Sequence, residues 1–442
     1  MLNKTHLLSK AIILLFMFGF YSCKSGSVNL FKAASPHEQY QKKLSSSGLD
    51  KTSIGLAWIE NSVQSLQKAL TITIPYRTTG YFSAEKVRAV AYQFSAVKGQ
   101  KITVTTIKKP ANSALYLDIW KQDEKQDLKR IAFSDTLNNP VELEITDNGK
   151  YFIRIQPELL QGIEYTISIV SGPSLSFPTG TKKSSSIQSY WGDSRDANAR
   201  KHEGVDIFGA FRSPVLAAAN GTVTRVNENN LGGKVVWLRP DAKNYSLYYA
   251  HLDEQLAIEG QSVKVGDTLG LMGNTGNAKT TPTHLHFGIY ESAGAINPLP
   301  FIDPVSKTPP QIKASVLNLN KTLRTRTTSK LLNAPNENAF PLSTILPATI
   351  VNVIAATENY YHIEMPDGQT GFLTSSVLVG ANNPLRTLKI GKNPEVVYDK
   401  PEQSAAAKLI LKPGEMVNLL GNFENFQLIS NQQSEIGWIV KR

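Results

Sequence analysis

Four histidines and one aspartate in this 442-residue chain are spaced as metal ligands and proton carriers would be. In Arg200-Lys-His-Glu-Gly-Val-Asp-Ile-Phe-Gly209, His202 and Asp206 stand four positions apart, a spacing that shares a face in a helix and in a strand alike. Gly204, the β-branched Val205 and Ile207, and Pro214 soon after speak against a helix. An extended segment is expected, with Gly204 leaving room for an ion between the two side chains. In Thr281-Pro-Thr-His-Leu-His-Phe-Gly-Ile-Tyr290, strand alternation puts His284, His286 and Gly288 on one face and Leu285, Phe287 and Ile289 on the other. His251 closes the apolar run Leu247-Tyr-Tyr-Ala-His251.

Imidazole nitrogen and carboxylate oxygen suit zinc, whose catalytic sites take three protein ligands and leave a fourth position for water. His202, Asp206 and one histidine of the 284/286 pair fill such a shell, and the period of two does not say which one. The imidazoles left over suit proton transfer and stabilisation of a developing oxyanion. Each part alone is ordinary: a strand-end histidine, a half-buried His-Leu-His strand, a chance His-x3-Asp pair. Together, inside one segment bounded by linkers, they indicate a zinc hydrolase site.

The same segment holds Tyr190-Trp-Gly-Asp-Ser-Arg195, Ser213-Pro-Val-Leu-Ala217, Asn220-Gly-Thr-Val223, Tyr249-Ala-His-Leu252, Val263-Lys-Val-Gly-Asp-Thr-Leu-Gly270, Gly273-Asn-Thr-Gly276 and His284-Leu-His-Phe287. In this order the motifs resemble the lysostaphin-like, or LytM-type, zinc endopeptidases that cut peptidoglycan peptides, over about residues 186 to 300. The resemblance implies one zinc held by His202, Asp206 and His286. It implies His251 and His284 as the catalytic pair, with His284 acting on the attacking water and His251 stabilising the tetrahedral intermediate. It also implies a compact antiparallel β domain with a groove over the metal. Lys279-Thr-Thr-Pro-Thr283 departs from the Gly or Ser-Gly that many relatives carry shortly before the histidine pair, which bears on how a peptide is admitted. Relatives that have lost ligands activate other wall hydrolases, so wall-hydrolase partners are a rival expectation.

The surrounding elements read as mainly β and multidomain: an N-terminal β-sandwich, the antiparallel metallopeptidase domain and two small SH3-like barrels. Residues 23–70 are polar with a helical patch at Ala57–Leu70, and 71–172 alternate in short runs such as Lys101–Ile107 and Lys150–Ile155, the mark of an antiparallel sandwich. Its strand order resembles the accessory sandwich found beside secreted bacterial peptidases. A Ser/Gly/Pro/Thr-rich linker at 173–186 precedes the peptidase domain at 187–305, and a Pro-rich one at 306–320 follows it. Beyond them Pro335, Pro347, Val351, Asn359 and Gly371 recur 66 residues later as Pro401, Pro413, Val417, Asn425 and Gly437, which predicts two copies of one fold at 321–381 and 384–442. Their strand order resembles the bacterial SH3-like barrel, which commonly binds wall peptides.

At the N-terminus, Lys4 and Lys10 precede the apolar run Ala11–Phe20, an export signal too short to span a membrane. Cys23, the only cysteine, follows directly and can make no intramolecular disulfide. The arrangement resembles a bacterial lipoprotein signal, residues 1–22, with Cys23 as the lipidated residue, although Phe20 and Tyr21 depart from its usual Leu and small residue. An exported, membrane-anchored envelope protein is expected. The formal charge of +11 suits an acidic wall polymer. Nucleic acid is not expected, since no basic helix or RNA-binding aromatic motif accompanies the charge.

Overall fold

Alternating apolar and polar residues over short runs, broken by Gly, Pro and Asn, make strands the commonest element of the described residues, as a computed structural model shows. The structure describes residues 34–137, 139–180, 186–195, 198–305 and 307–441. The signal segment and Cys23 lie outside them. Residues 35–442 form one compact unit.

Two helices open the described chain. Pro36–Ser46 starts on a capping box, in which Ser35 accepts from the Glu38 backbone and Glu38 from that of Ser35, with Pro36 in the first turn. Ser53–Gln67 is capped by Thr52 and takes in the helical patch expected at Ala57–Leu70 as far as Gln67, Leu70 already starting a strand; the pattern of the first helix is almost wholly polar. Trp58 ties the pair to the sheet beneath by donating to the Pro157 carbonyl at 2.8 Å.

That sheet runs Leu70–Thr71, Val90–Ala96, Gly149–Pro157, Leu115–Gln122, Leu128–Phe133. It packs on a second layer made of Tyr76–Phe82, Ile163–Pro173, Gln100–Lys109 and Val141–Glu144, around Tyr92, Ile119, Ile153, Ile167 and Ile169. This second layer continues into the C-terminal third, because Thr79 and Gly80 pair with Ala356 and Ala355. One eleven-stranded sheet results.

Five strands of the first C-terminal segment, Ser329–Leu332, Pro341–Ile345, Ile350–Thr357, Tyr360–Glu364 and Thr370–Thr374, have counterparts at the 66-residue offset. These are Glu395–Tyr398, Ala407–Leu411, Met416–Phe423, Phe426–Ser430 and Ile436–Val440, and both sets are hydrogen-bonded in the same order.

Between these regions lies a separate antiparallel sheet. Its central strands run Ile187–Ser189, Val205–Phe208, His284–Glu291, Ser246–Gln255, Gly233–Pro240, Gly221–Asn229. Val205, Ile207, Val236, Leu238, Leu247, Tyr249, Leu285, Phe287 and Ile289 fill the core on one face. The opposite face of the same strands carries the histidines. The sandwich grips this unit from outside: Leu175 donates to the Phe301 carbonyl, Lys98 pairs with Glu291 at 2.6 Å, and the Phe301 ring lies where a Cβ on Gly99 would be.

Candidate metal centre

Strand register brings the site together. Asp206 lies directly opposite His286, and His286 opposite Ala250 on its other side; paired residues in an antiparallel sheet project on one face. His202 enters from the short segment before the Asp206 strand. Its Nε2 lies 2.9 Å from His286 Nδ1 and 3.1 Å from Asp206 Oδ1, and His286 Nδ1 lies 3.0 Å from that same oxygen. Donors bound to one tetrahedral zinc at about 2.0–2.2 Å stand roughly 3.3–3.5 Å apart, so the triangle is close to the required size. Three atoms that offer lone pairs when the imidazoles are neutral have been packed against one another, an arrangement that a cation relieves.

Neighbours orient each of the three. His202 Nδ1 is 2.9 Å from the Tyr190 carbonyl, which only accepts, so Nδ1 carries the proton and Nε2 faces the triangle as a lone pair. Arg195 Nη2 donates to Asp206 Oδ2 at 2.6 Å and to Ser189 Oγ at 2.5 Å, leaving Oδ1 for the triangle. Burial works against ionisation of Asp206, but the imidazoles of His202 and His286 beside it hold its carboxyl well below the usual range. Burial lowers the pKa of His286, opposed by its hydrogen bond to Asp206.

Gly204 does something other than the sequence suggested. A Cβ there would sit 2.6 Å from His286 Cε1 and 2.6 Å from the Phe287 carbonyl, so the space it leaves is taken by the His286 ring rather than by an ion.

His284 and His251 stand beside the triangle. His284 Nδ1 meets the Pro282 carbonyl at 2.8 Å, so the Thr281–Thr283 loop fixes its tautomer, and its ring stacks on Phe208. Its Nε2 is 3.9 Å from Asp206 Oδ1. His251 reaches the same face by an irregularity. Lys234 pairs with Leu252 but Val236 with Tyr249, so the His251 strand carries one residue too many at this point, a β-bulge. His251 itself has φ +62°, a left-handed conformation uncommon for a non-glycine and typical of functional positions. Its Nδ1 donates to the Thr275 carbonyl at 2.8 Å. Burial, with the nearby charges of His286 and His284, lowers its pKa to about 4. The His251 and His284 ring centroids are 4.9 Å apart.

All five residues line one cavity of about 550 Å³. With them are Arg195, Trp237, Tyr248 and Tyr290, which reading the sequence for ligands passed over. Tyr290 was within reach of the strand alternation, since it shares the parity of His284, His286 and Gly288.

Residues 200–298 match the model of Peptidase family M23, and the chain therefore carries an M23 peptidase domain. Over that region it is similar to an "uncharacterized metalloprotease" of Haemophilus influenzae, 41% identical over 101 residues, covering 23% of this chain and 21% of that one. It is similar also to the L-Ala–D-Glu endopeptidase of Bacillus subtilis, 35% identical over 126 residues, 27% of this chain and 38% of that one. The murein hydrolase activator NlpD of Escherichia coli is 33% identical over 102 residues, 23% of this chain and 26% of that one. The chain thus spans about a fifth to two fifths of the length of these relatives. Among solved structures, LytU aligns at 35% identity over 28% of this chain and 92% of that one, with a TM-score of 0.26.

Proposed function

We propose that the chain is a zinc-dependent endopeptidase that hydrolyses amide bonds in peptidoglycan stem peptides or cross-bridges. The observation that carries this reading is the convergence of His202, Asp206 and His286 in one cavity with two further histidines whose Nδ1 atoms are bonded to carbonyls. His202 Nε2, Asp206 Oδ1 and His286 Nδ1 would hold the metal. When bound, zinc supplies a Lewis acid for the scissile carbonyl and lowers the pKa of water.

The chain's own groups do the rest. With its Nδ1 bonded to the Pro282 carbonyl, His284 presents Nε2 beside the triangle, takes the proton of the attacking water there and passes it to the leaving amine. His251, held by Thr275 and the bulge, turns Nε2 into the cavity; protonated there from solvent, it donates a hydrogen bond to the oxygen on which negative charge develops. Arg195, donating to Oδ2, fixes the Asp206 carboxylate in rotation. Phe208, packed on the His284 ring, restricts its rotation.

The match to the "Peptidoglycan DD-endopeptidase ShyC" of Vibrio cholerae, 34% identical over 88 residues, supports the substrate class. A lipoprotein at the cell envelope, anchored through Cys23, is the location we assign. It is supported by the leader pattern and by 36% identity over 107 residues to the Pseudomonas aeruginosa "Lipoprotein NlpD/LppB homolog". The likeness to NlpD favours a second reading, a non-catalytic activator of other wall hydrolases; the presence of all five site residues weighs against it.

Purified full chain incubated with peptidoglycan, with zinc or with a chelator, separates the two. New peptide ends by mass spectrometry that vanish with the chelator are expected. Intact peptides, with faster digestion by an added wall hydrolase, would establish the activator instead.

A further inference from the structure

The face of the sheet that carries the metal ligands carries a second row of side chains. Asp206, His286 and Ala250 form one cross-strand row. Two residues along, on the same face, Gly288 pairs with Tyr248 and Tyr248 with Trp237. Tyr290 leans back over this row, its Cε2 only 2.9 Å from where a Cβ on Gly288 would stand. The three aromatic residues lie outside the domain core, which occupies the other face. They line the same cavity as the triangle.

Trp237 and Tyr248 have ring centroids 4.5 Å apart, Trp237 and Tyr290 5.3 Å, Tyr248 and Tyr290 5.8 Å. At these separations the rings fill the space between themselves, so they do not form a cage around a cation. What they offer is a continuous apolar surface on the cavity wall. Polar groups rim it: the Tyr290 hydroxyl donates to Glu203 Oε2 at 3.4 Å, and Asn229 and Arg200 line the same cavity. The rings are tilted against one another by 47°, 57° and 84°, so they share no single plane; one aromatic face among them, with hydrogen-bonding groups at its rim, matches a pyranose ring, which has an apolar C–H face and a hydroxyl edge.

We infer that Trp237, Tyr248 and Tyr290 form a saccharide platform that seats an amino-sugar ring of the glycan strand beside the scissile amide. This rests on the reading of the site as a peptidoglycan hydrolase. The Tyr248 and His286 rings are 5.9 Å apart, roughly two residues of extended chain. The platform therefore selects stem peptides still attached to their sugar and directs cleavage to the sugar-proximal end of the stem.

Two measurements on the full-length protein test it. In the first, the disaccharide GlcNAc–MurNAc is titrated into the protein while the heat of binding is followed by calorimetry. Saturable change in the wild type, lost in Trp237→Ala and kept in Trp237→Phe, is expected. No saturable change in the wild type would overturn the platform whether or not the protein is a hydrolase.

In the second, kcat/KM is compared for a stem peptide bearing the disaccharide and the same peptide without it. A wild-type preference of roughly tenfold, falling towards one in Trp237→Ala chiefly through KM and restored in Trp237→Phe, supports the platform. A ratio unchanged by Trp237→Ala assigns the wall to the peptide and refutes the sugar. Cleavage of neither substrate would sink the hydrolase reading alone, and the disaccharide titration would then decide the platform.

Discussion

Two regions of the molecule bury histidines in the same degree and use them differently. His37, under the helical pair, is 2% exposed, and His362, in the first C-terminal segment, is 9% exposed; His202, His284 and His251 are 2%, 5% and 7% exposed. The pKa is lowered to about 3 in His37 and about 4 in His362, as it is to about 4 in His251, burial being the largest cause in each. Depth and a depressed pKa therefore do not mark the site. His37 stacks on Trp58 at 4.5 Å and bonds to Gln156 at 2.7 Å, and His362 stacks on Phe372; neither belongs to a cluster of metal-ligating side chains among the described residues. The site histidines converge, and a carbonyl holds the outer nitrogen of His202, His251 and His284. Convergence with one nitrogen committed outward is what separates a reactive imidazole from a packed one.

Substitutions can break that contrast. The largest effect is expected from Asp206→Ala, which removes the only carboxylate of the triangle: turnover on peptidoglycan, read by release of soluble peptides, should fall on the order of a thousandfold or more. His37→Phe should leave turnover within about twofold, since that ring belongs to a structural contact.

Next is Arg195→Ala. The triangle stays complete but Asp206 loses its anchor, and zinc affinity measured against a competing chelator should weaken by roughly 10- to 100-fold. An unchanged affinity would show that the sheet alone fixes the carboxylate.

The smallest effect concerns stability. The folded pKa of His37, lowered by burial and by Arg154, lies below the ordinary value of about 6.5. Its contribution is therefore complete above about pH 6.5 and is lost as pH falls towards 3, because the unfolded chain takes up the proton first. Between pH 7 and pH 4.5 the unfolding free energy from urea titration should drop less in His37→Phe than in the wild type, by roughly 2.5 kcal/mol.

Much of this was legible in the chain. Alternation alone put His284 and His286 on one face, and the paired Asp206 follows from the same parity once the strands are adjacent. The 66-residue repeat reappears strand for strand in both C-terminal segments. What escaped reading depends on contacts between distant residues. Parity would send His251 with Tyr249 into the core; only the bulge and the positive φ turn it round, and neither has a signature in Leu247-Tyr-Tyr-Ala-His251. The pairing of Thr79 with Ala356 is a meeting of two strand edges, which no local pattern announces. Arg195 and the Tyr190 carbonyl act through positions 11 and 12 residues from their partners, visible only after folding.

The division between His284 and His286 tests the account most directly, because the two are neighbours on one strand face and are given different tasks. Zinc content by elemental analysis and peptidoglycan turnover are measured together in His284→Ala and His286→Ala of the full chain. The account predicts one zinc per chain and turnover lowered by about 10²- to 10⁴-fold in His284→Ala, and neither zinc nor turnover in His286→Ala. Zinc retained at wild-type level by His286→Ala, or wild-type turnover by His284→Ala, would contradict it.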